Sequence, residues 1–355
     1  MILISLLLLQ THSKCHGPSD CPLLLVKIES NQPAINVYNY SISSVSTIEK
    51  HTAIVKKAAS DLGFEYCGVA KAKRLEEDER RLADWLNKGF QGQMHYMENY
   101  FDLRVDPTRL VPGAQSVITL LFNYYPAEQQ EATAPRISKY AFGKDYHSVI
   151  KEKLHAFLFE LREKIGNIDG RGFVDSAPVL ERAWAREAGL GWVGKNGNLI
   201  NKNAGSFYFI ATLITDLVLV PDNPFIKDYC GTCNRCVESC PTAAILPEKV
   251  IDASRCISYY TIELKSHLKP TLEKGQMEGW LFGCDTCQDV CPWNRFSKPH
   301  TTNQFKPIPE ILTLNTSQWE EMTEETFKKI FSNSPLQRTR FSGIRRNLQL
   351  LKENE

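Results

Sequence analysis

The spacing of the cysteines constrains this chain more than any other feature of its sequence. Eight of the eleven cysteines lie between residues 230 and 291. Four of them form a run of the pattern C-x2-C-x2-C-x3-C-P, from Cys230 to Pro241. A second group comprises Cys256 and a run from Cys284 to Cys291, which also ends in a cysteine followed by proline. So dense a set of thiols indicates binding of metal or of metal clusters.

The first run has the spacing with which bacterial ferredoxins bind [4Fe–4S] clusters. In that pattern three closely spaced thiolates bind one cluster, and the cysteine before the proline binds the other. We therefore predict two clusters with exchanged ligands. Cluster one is predicted to be bound by Cys230, Cys233, Cys236 and Cys291. Cluster two is predicted to be bound by Cys240, Cys256, Cys284 and Cys287.

Two other uses of these cysteines agree less well with the sequence. Structural zinc sites contain C-x2-C pairs, but a compact run of four closed by proline is not their usual form. Disulfides stabilise small secreted domains, whereas a chain of 355 residues is long enough to build its own core. Two clusters in one module predict electron transfer.

Length and composition predict a globular protein of two or three domains. Apolar residues make up 43% and the formal net charge is +1, which excludes a globally basic nucleic-acid-binding protein but allows a local basic patch. No apolar run reaches the roughly 18 residues that a membrane-spanning helix needs. The predicted segments are a leader outside the fold (1–46), an α/β domain (47–225), the cysteine module (226–298) and a helical C-terminal segment (299–355).

The first 46 residues differ in character from the rest. An apolar run from Ile2 to Leu9 resembles the central part of a secretory signal, but no positive charge precedes it. Ser46 and Glu49 have the spacing of a capping box, and apolar residues then recur with helical period as far as Leu62. We predict that the fold begins with a helix at Thr47, after a leader that is an artefact of start-site choice; an export signal is the alternative.

Helix and strand patterns alternate between the leader and the cysteine module. Strand-length apolar runs occupy 64–70, 117–122 and 206–215, and helical patterns occupy 147–165 and 179–188. This alternation predicts helices packed against a sheet. Residues 305–355 are predicted to be helical, including 323–331.

Three loops contain candidates for chemistry. Gly189–Gly194 satisfies G-x-G-x-x-G, but a predicted helix precedes it and a strand follows, which is the reverse of the dinucleotide-binding arrangement. Lys195 and Asn196 follow these glycines and are candidates for polar contacts with a large flat ligand. Asp175 lies between a predicted strand and a predicted helix, where open α/β sheets bind ligands. A simple loop acid or helix cap is the alternative for Asp175, and the same holds for Asp145, a second candidate.

A basic run near the C-terminal end contains no acidic residue. It comprises Arg338, Arg340, Arg345, Arg346 and Lys352. Such a run is typical of a phosphate-binding surface, and a solvated helix face is the alternative.

These motifs together resemble the epoxyqueuosine reductase family, the cobalamin- and iron–sulfur-dependent enzymes of queuosine-tRNA biosynthesis. The resemblance covers about residues 47–352; the leader has no counterpart in the family pattern, and the helical repeat extension of some members is missing. The stretches that carry it are LRVDP (103–107), YAFGKDYH (140–147), FVD (173–175), ERAWAREAGLG (181–191), KN (195–196), GCDTCQ (283–288) and FSGIRRN (341–347).

The resemblance implies an α+β fold, in which a nitroreductase-like, cobalamin-binding α/β domain joins a ferredoxin-like module with two [4Fe–4S] clusters and a short helical C-terminus. No histidine is implied beneath the cobalt, and the D-x-H-x-x-G motif that supplies one in other enzymes is absent from the sequence. The implied general acid is Asp175. The implied cobalamin contacts are Arg104, Ser138, Asp175, Lys195, Asn196, Leu199, Ser258 and Asp285.

The implied activity is the reduction of epoxyqueuosine to queuosine at the wobble position of tRNA. Conversion of an epoxide into an alkene consumes two electrons and two protons and releases water. Because the usual pKa of an aspartate is near 3.9, we expect burial to raise the pKa of Asp175 if it donates a proton at neutral pH. A flavodoxin or ferredoxin is the expected electron donor, and the enzyme is expected to be a cytoplasmic monomer that does not bind membranes. A reductive dehalogenase-like enzyme and a ferredoxin-like electron carrier are the alternatives.

Overall fold

A computed structural model describes residues 38–264 and 272–354 of the chain, with side chains from residue 47 onward. The chain divides into two units, Met1–Ser43 and Ser44–Glu355. The second unit contains all the strands that the structure describes. None of the described helices is both long and apolar enough to cross a membrane.

The described parts of the chain contain twelve α-helices, ten strands and eight short 3-10 or π-helical turns. The helices are α1 (Tyr38–Asp61), α2 (Glu76–Asn87), α3 (Phe101–Val105), α4 (Pro107–Leu110), α5 (Tyr146–Ile165), α6 (Glu181–Glu187), α7 (Arg235–Glu238), α8 (Thr286–Asp289), α9 (Pro309–Thr313), α10 (Thr316–Glu321), α11 (Glu324–Ile330) and α12 (Arg340–Asn354). The strands are β1 (Tyr66–Lys71), β2 (Ser116–Asn123), β3 (Arg136–Ile137), β4 (Gly170–Phe173), β5 (Trp192–Val193), β6 (Leu199–Ile200), β7 (Tyr208–Thr215), β8 (Ile245–Leu246), β9 (Val250–Ile251) and β10 (Trp280–Phe282).

A four-stranded sheet of order β1-β2-β7-β4 forms the centre of the α/β domain. Every residue of β2 is buried, because helices cover both faces of the sheet. Ile118 and Leu120 pack with residues of α1 and α5 on one face. Val117 and Leu121 point to the opposite face and pack with α6. The predicted helix over 147–165 and the predicted strand over 117–122 are thereby confirmed, as is the α+β fold class.

The sheet is antiparallel throughout. The argument from sequence for a ligand site at Asp175 assumed that this residue follows a strand of a parallel sheet, at the carboxyl edge where such sheets bind ligands. That argument is therefore wrong. Asp175 does follow β4, but the cap of α6 is Leu180. The helix-cap alternative for Asp175 is thus also wrong, whereas Asp145 is the N-cap of α5 and accepts a hydrogen bond from the backbone N–H of His147.

The predicted start of the first helix is wrong. The helix begins at Tyr38, so Ser46 lies inside it and does not form its N-cap. No proline or glycine lies between Tyr38 and Thr47 to interrupt the helix. Its end agrees with the prediction, since Gly63 follows with a φ of 85°, the left-handed conformation common after helix C-termini.

The C-terminal helices share a hydrophobic core with the cysteine module. Trp319, Phe327 and Leu348 pack in one buried cluster with Trp280 and Phe282 of β10. Strand β10 pairs in parallel with β3, which belongs to the α/β domain. The short ladder between β3 and β10 therefore fixes the position of the module beside the segment that leads into α5.

Candidate active site and iron–sulfur centre

The eight cysteine thiols form two separate groups in the structure. Cys236 interacts electrostatically with Cys230, Cys233 and Cys291. In the other group, Cys287 interacts with Cys240, Cys256 and Cys284. These groups have the same membership as the two ligand sets that the spacing predicts.

Two one-turn helices hold the two groups in the same way. Helix α7 contains Cys236 and helix α8 contains Cys287, and a cysteine followed by proline comes shortly after each helix. The proline cannot donate a backbone hydrogen bond to continue the helix, so the chain turns away and carries Cys240 or Cys291 to the other group. This local geometry agrees with the predicted exchange of ligands between the two cysteine runs.

The chemistry of the thiols fits a multinuclear cluster. Burial raises the pKa of Cys284 to about 12 and raises the pKa of Cys256 and of Cys291, so these groups need the positive charge of bound iron to become thiolates. No three His, Cys, Asp or Glu side chains in the described ranges surround one point closely enough to hold a single ion. A [4Fe–4S] cluster does not require three ligands around one point, because each thiolate binds a different iron.

Hydrogen bonds from the surrounding protein reach both groups. The indole Nε1–H of Trp192 donates to Sγ of Cys230 over 3.4 Å, and the backbone N–H of Ala244 donates to Sγ of Cys240 over 3.3 Å. The Ser258 backbone and side chain interact with the Cys256 thiol and lower its pKa, although burial dominates. Ser258 therefore lies beside the second cysteine group.

A second constellation surrounds Asp175. The Tyr146 hydroxyl donates to Oδ2 of Asp175 over 2.5 Å, and Nε2 of His147 lies 3.4 Å from the same oxygen. The other ring nitrogen of His147, Nδ1, lies 2.8 Å from Oδ1 of Asp145. The imidazole thus bridges two carboxylates, and the Asp175 side chain remains 62% exposed.

The expected rise in the pKa of Asp175 is wrong. Burial raises this pKa, but hydrogen bonds from His147 and Tyr146 stabilise the carboxylate and outweigh burial, so the pKa lies below its usual value. The same contacts act in the opposite direction on the imidazole. Burial lowers the pKa of His147, yet the hydrogen bonds to Asp145 and Asp175 raise it to about 9. At neutral pH the proton therefore resides on His147.

Glu181 and Arg182 complete the surroundings of Asp175. Oε1 of Glu181 accepts a hydrogen bond of 2.8 Å from the backbone N–H of Asp175. Burial, followed by the negative charge of Asp175, raises the pKa of Glu181 to about 8. Arg182 interacts electrostatically with both acids.

The site of Asp175 faces the cysteine module. Tyr140 interacts electrostatically with both Asp175 and Asp285. Asp285, next to Cys284 in the chain, is buried; its Oδ1 accepts from the Ser138 hydroxyl and its Oδ2 accepts from the backbone N–H of Lys139 over 2.8 Å. Two of the predicted cofactor contacts, Ser138 and Asp285, therefore contact each other directly.

Arg104 has the features expected of a ligand-binding arginine. It is 8% exposed, and its guanidinium donates to the carbonyl oxygen of Tyr96 over 2.9 Å. The Nε–H is buried without a hydrogen-bond acceptor among the described residues. Because an unsatisfied buried donor costs free energy, this N–H fits a bound group that supplies an acceptor. Tyr96 interacts electrostatically with both Arg104 and Asp175, so Arg104 belongs to the same region.

The loop after the glycines contacts the cysteine module. Nζ of Lys195 donates to the carbonyl oxygens of Gly231 and Cys233 and to Oδ1 of Asn234, over 2.8–3.0 Å. Asn196 is buried and donates to the carbonyl oxygen of Cys287 over 3.2 Å. Lys195 therefore contacts the loop that contains Cys230 and Cys233, while Asn196 lies beside the backbone at Cys287.

A cavity of about 140 Å³ lies next to this loop. Leu199 lines it, together with Arg182, Tyr124 and Tyr208. Leu199 is therefore in the same region as the charged residues around Asp175.

Comparison with known proteins identifies the family. Residues 104–176 match a family model described as epoxyqueuosine reductase QueG, DUF1730, and residues 229–294 match the 4Fe-4S double cluster binding domain. The chain is 59% identical, over 310 residues, to the epoxyqueuosine reductase of Cyclobacterium marinum, which covers 87% of this chain and 99% of that relative. The chain belongs to the epoxyqueuosine reductase family. It is accordingly an oxidoreductase with a domain that binds two [4Fe–4S] clusters.

Solved structures of family members have the same fold. A crystal structure of epoxyqueuosine reductase with an epoxyqueuosine-modified tRNA-Tyr stem loop matches with a TM-score of 0.77 and 29% identity, over 85% of this chain and 80% of that one. The Bacillus subtilis enzyme, in which a catalytic loop with an aspartate is swung out of the active site, matches with a TM-score of 0.77 and 28% identity, over 85% and 81% of the two chains.

Sequence reasoning missed three residues of the site. Tyr146, His147 and Glu181 appear in the sequence analysis only as members of family stretches, without a role of their own. The signal available was the triplet Asp145-Tyr-His, because an N-cap carboxylate followed two residues later by histidine places an acid beside an imidazole. Nothing in the sequence indicated that Asp175 would lie on the other side of that imidazole.

Proposed function

We propose that Asp175 is the general acid in the reduction of epoxyqueuosine that this chain carries out. The observation that carries the proposal is the exposed Asp175 carboxylate, hydrogen-bonded by Tyr146 and paired with a protonated His147. An epoxide oxygen leaves as an alkoxide unless a proton reaches it, and general acids typically contribute about 10²–10⁴ in rate.

The proton is stored on His147 and passes through Asp175. In the open cleft the pair is an imidazolium and a carboxylate. Substrate that covers the cleft removes water from Asp175, which disfavours both charges. Transfer of the proton from Nε2 of His147 to Asp175 then neutralises both groups, and the resulting carboxylic acid can donate to the epoxide oxygen. The two groups titrate as a coupled pair.

The overall reaction balances with two electrons and two protons. The two C–O bonds of the epoxide break, an alkene forms, and the oxygen leaves as water. We assign the electrons to two [4Fe–4S] clusters bound by the ligand sets predicted above, because the eight thiols already lie in those two groups. An external donor such as a flavodoxin or ferredoxin supplies the electrons to the enzyme, which we infer to be a cytoplasmic monomer.

The surroundings of Asp175 fit cobalamin as the group between the clusters and the substrate. When bound, cobalamin supplies a strongly reducing cobalt centre. Arg104 offers an unpaired buried N–H, Ser138 and Asp285 form a polar pair beside cluster two, and Leu199 lines the adjacent cavity. Asn196 and Ser258 lie beside cluster two at the same border, whereas the ammonium of Lys195 contacts the module.

The substrate is the anticodon loop of tRNA that carries epoxyqueuosine. A family member has been crystallised with such a stem loop, and recognition of single-stranded RNA generally splays the target base out of its stack. Arg338 is the basic residue of the C-terminal run that interacts electrostatically with Asp175. Its guanidinium lies 5.9 Å from the ring centroid of Tyr96, which is 44% exposed. Tyr96 is therefore suited to contact a base near the acid, whereas the Arg338 guanidinium is already paired with Glu263 over 2.9 Å.

Substitution of Asp175 by asparagine tests the proposal. The Asp175→Asn variant keeps the side-chain volume but cannot carry the proton, so we expect turnover of epoxyqueuosine in tRNA to fall by about 10²–10⁴. Nucleoside analysis of the product measures turnover, with iron and cobalamin content as folding controls. Asp145→Asn is the matched control, because it lies on the far side of His147; it should lose less. Wild-type turnover in Asp175→Asn would remove Asp175 from the mechanism.

A further inference from the structure

The backbone of Asp175 is held in an unfavourable conformation. Its φ is 53°, in the left-handed region that residues other than glycine seldom occupy. Such a conformation costs free energy and persists only where surrounding contacts enforce it. Some interaction outside the loop must therefore stabilise Asp175 in this position.

The contact that reaches the Asp175 backbone comes from Glu181. Oε1 of Glu181 accepts from the backbone N–H of Asp175 over 2.8 Å, across six residues of the chain. Glu181 is the first residue of α6, and the same turn of α6 contains the buried residues Ala183 and Trp184. A residue fixed to the core thus binds the backbone at the strained position.

Glu181 can do this without adding a second negative charge to the site. Burial and the adjacent Asp175 raise its pKa to about 8, so at neutral pH it is an uncharged acid whose carbonyl oxygen accepts the hydrogen bond. His147 and Arg182 also act on it electrostatically and oppose that rise. A neutral acceptor suits this position, because an ionised one would repel the Asp175 carboxylate.

We propose that Glu181 is a positioning residue that holds Asp175 in its left-handed conformation and so directs the carboxylate toward Tyr146, His147 and the substrate. This inference rests on the proposed role of Asp175 as the general acid. Glu181 itself need not touch the substrate. Its role is exerted through one hydrogen bond, from the Asp175 backbone to a neutral carbonyl oxygen.

Two variants of similar shape separate this role from simple packing. Glu181→Gln retains a carbonyl oxygen as the acceptor, whereas Glu181→Met keeps the length of the side chain and removes the acceptor. In the holoenzyme, hydrogen–deuterium exchange in peptides that contain Asp175 should quicken in Glu181→Met by roughly 2- to 13-fold, the loss of one hydrogen bond. The Gln variant should exchange as wild type does.

Turnover provides the second readout. In Glu181→Met, kcat should fall by roughly 10- to 100-fold through misplacement of the acid, while KM for tRNA changes little. The Gln variant should retain most of the wild-type kcat. In an Asp175→Asn background, Glu181→Met should cause no further loss, because both substitutions then affect one and the same group.

The outcomes distinguish this inference from the proposed function. Unchanged exchange in Glu181→Met, or equal damage in the Gln and Met variants, overturns the positioning role. Full activity of Asp175→Asn overturns the proposal that Asp175 is the general acid. In that case the hydrogen–deuterium exchange of Glu181→Met still decides whether Glu181 holds the Asp175 loop. If the Glu181→Met variant loses iron, Glu181→Ala is used in the same experiments instead. Loss of iron in both variants overturns the inference, because the inference gives Glu181 no role beyond holding Asp175.

Discussion

His147 lies between two carboxylates, and this position determines how it responds to pH. Its usual pKa is 6.5; burial lowers that value, but hydrogen bonds to Asp145 and Asp175 raise it to about 9 in the folded protein. A group whose pKa is raised by folding contributes its full stabilisation when the pH is below its pKa in the unfolded state. This contribution is lost as the pH rises through its pKa in the folded state. The relevant window here is therefore about pH 6.5–9.

We expect His147→Gln to remove this pH-dependent contribution. Wild type should be the more stable by about 1 kcal/mol at pH 6, since both partners of His147 are partly exposed. The difference should vanish above pH 9. Urea unfolding of both proteins under anaerobic conditions, at several pH values, measures it. A difference that stays constant from pH 6 to pH 9.5 would contradict the assigned protonation of His147.

We expect Trp192 to raise the reduction potential of cluster one. Its indole N–H donates to Sγ of Cys230, and hydrogen bonds to cluster sulfurs raise the reduction potential. Trp192→Phe removes the donor and keeps an aromatic ring, so we expect a lower midpoint potential by about 20–60 mV, from the usual worth of one hydrogen bond. Potentiometric titration followed by electron paramagnetic resonance measures this. The matched control is Trp293→Phe, whose indole N–H donates to the Tyr229 carbonyl oxygen instead.

At the scale of elements, helix α12 stabilises the chain around cluster two. Arg346 donates to the carbonyl oxygens of Leu264 and Tyr260, the latter over 2.6 Å. Tyr260 belongs to a single π-helical turn, Tyr259–Glu263, which follows Cys256. Arg345 in turn donates to the carbonyl oxygen of Glu320. Arg346 therefore has a structural role, and binding of RNA phosphates by the basic run stays a prediction.

Arg346→Met should destabilise the protein. It leaves the carbonyl oxygens of Tyr260 and Leu264 without this donor, at a cost of about 1–3 kcal/mol for buried groups. Lys329→Met, on the exposed side of α11, is the matched control and should change stability by less than about 0.5 kcal/mol. Thermal unfolding with iron content as a second readout measures both. Equal stability of the two variants, with weaker tRNA binding in Arg346→Met, would restore the phosphate-binding interpretation.

At the scale of the whole molecule, the site lies where the α/β domain and the cysteine module meet. A buried polar network crosses this border. Nε2 of Gln288 donates to the carbonyl oxygen and to the hydroxyl of Ser206, and each of these hydrogen bonds is 3.0 Å long. Asn294 donates to the carbonyl oxygen of Gln288 over 2.7 Å. Such a network favours one relative position of the two parts, since any other would leave buried polar groups unpaired. The two cysteine groups are thereby held in one position relative to the α/β domain, which contains Asp175.

Exchange of ligands between the two cysteine runs predicts the effect of losing one of them. Cys291 comes from the second run, but its thiol lies with Cys230 and Cys233. Cys291→Ala should therefore damage cluster one and lower the iron content from roughly eight toward four per chain. Iron analysis and the spectrum of the remaining cluster measure this, with Cys67→Ala, a partly buried thiol outside both groups, as the control. Undiminished iron in Cys291→Ala would show that the assigned ligand sets are wrong.

The sequence by itself determined the features that depend on local spacing. The arrangement of the thiols within each run follows from the C-x2-C spacing, because three or four residues fix where a thiol points. Strand β2 and helix α5 follow from apolar periodicity for the same reason. These patterns are local, so they survive whatever the rest of the chain does.

Only the tertiary structure decided the protonation of the site and the use of the arginines. The pKa of Asp175 is lowered because Tyr146 and His147, which are distant in sequence, are brought within hydrogen-bonding distance of it by α5 and β4. Arg346 is a structural residue because α12 packs over the turn at Tyr260. Electrostatic energies depend on distances between charges in space, and such distances, between segments far apart in the chain, are set by packing that no local pattern encodes.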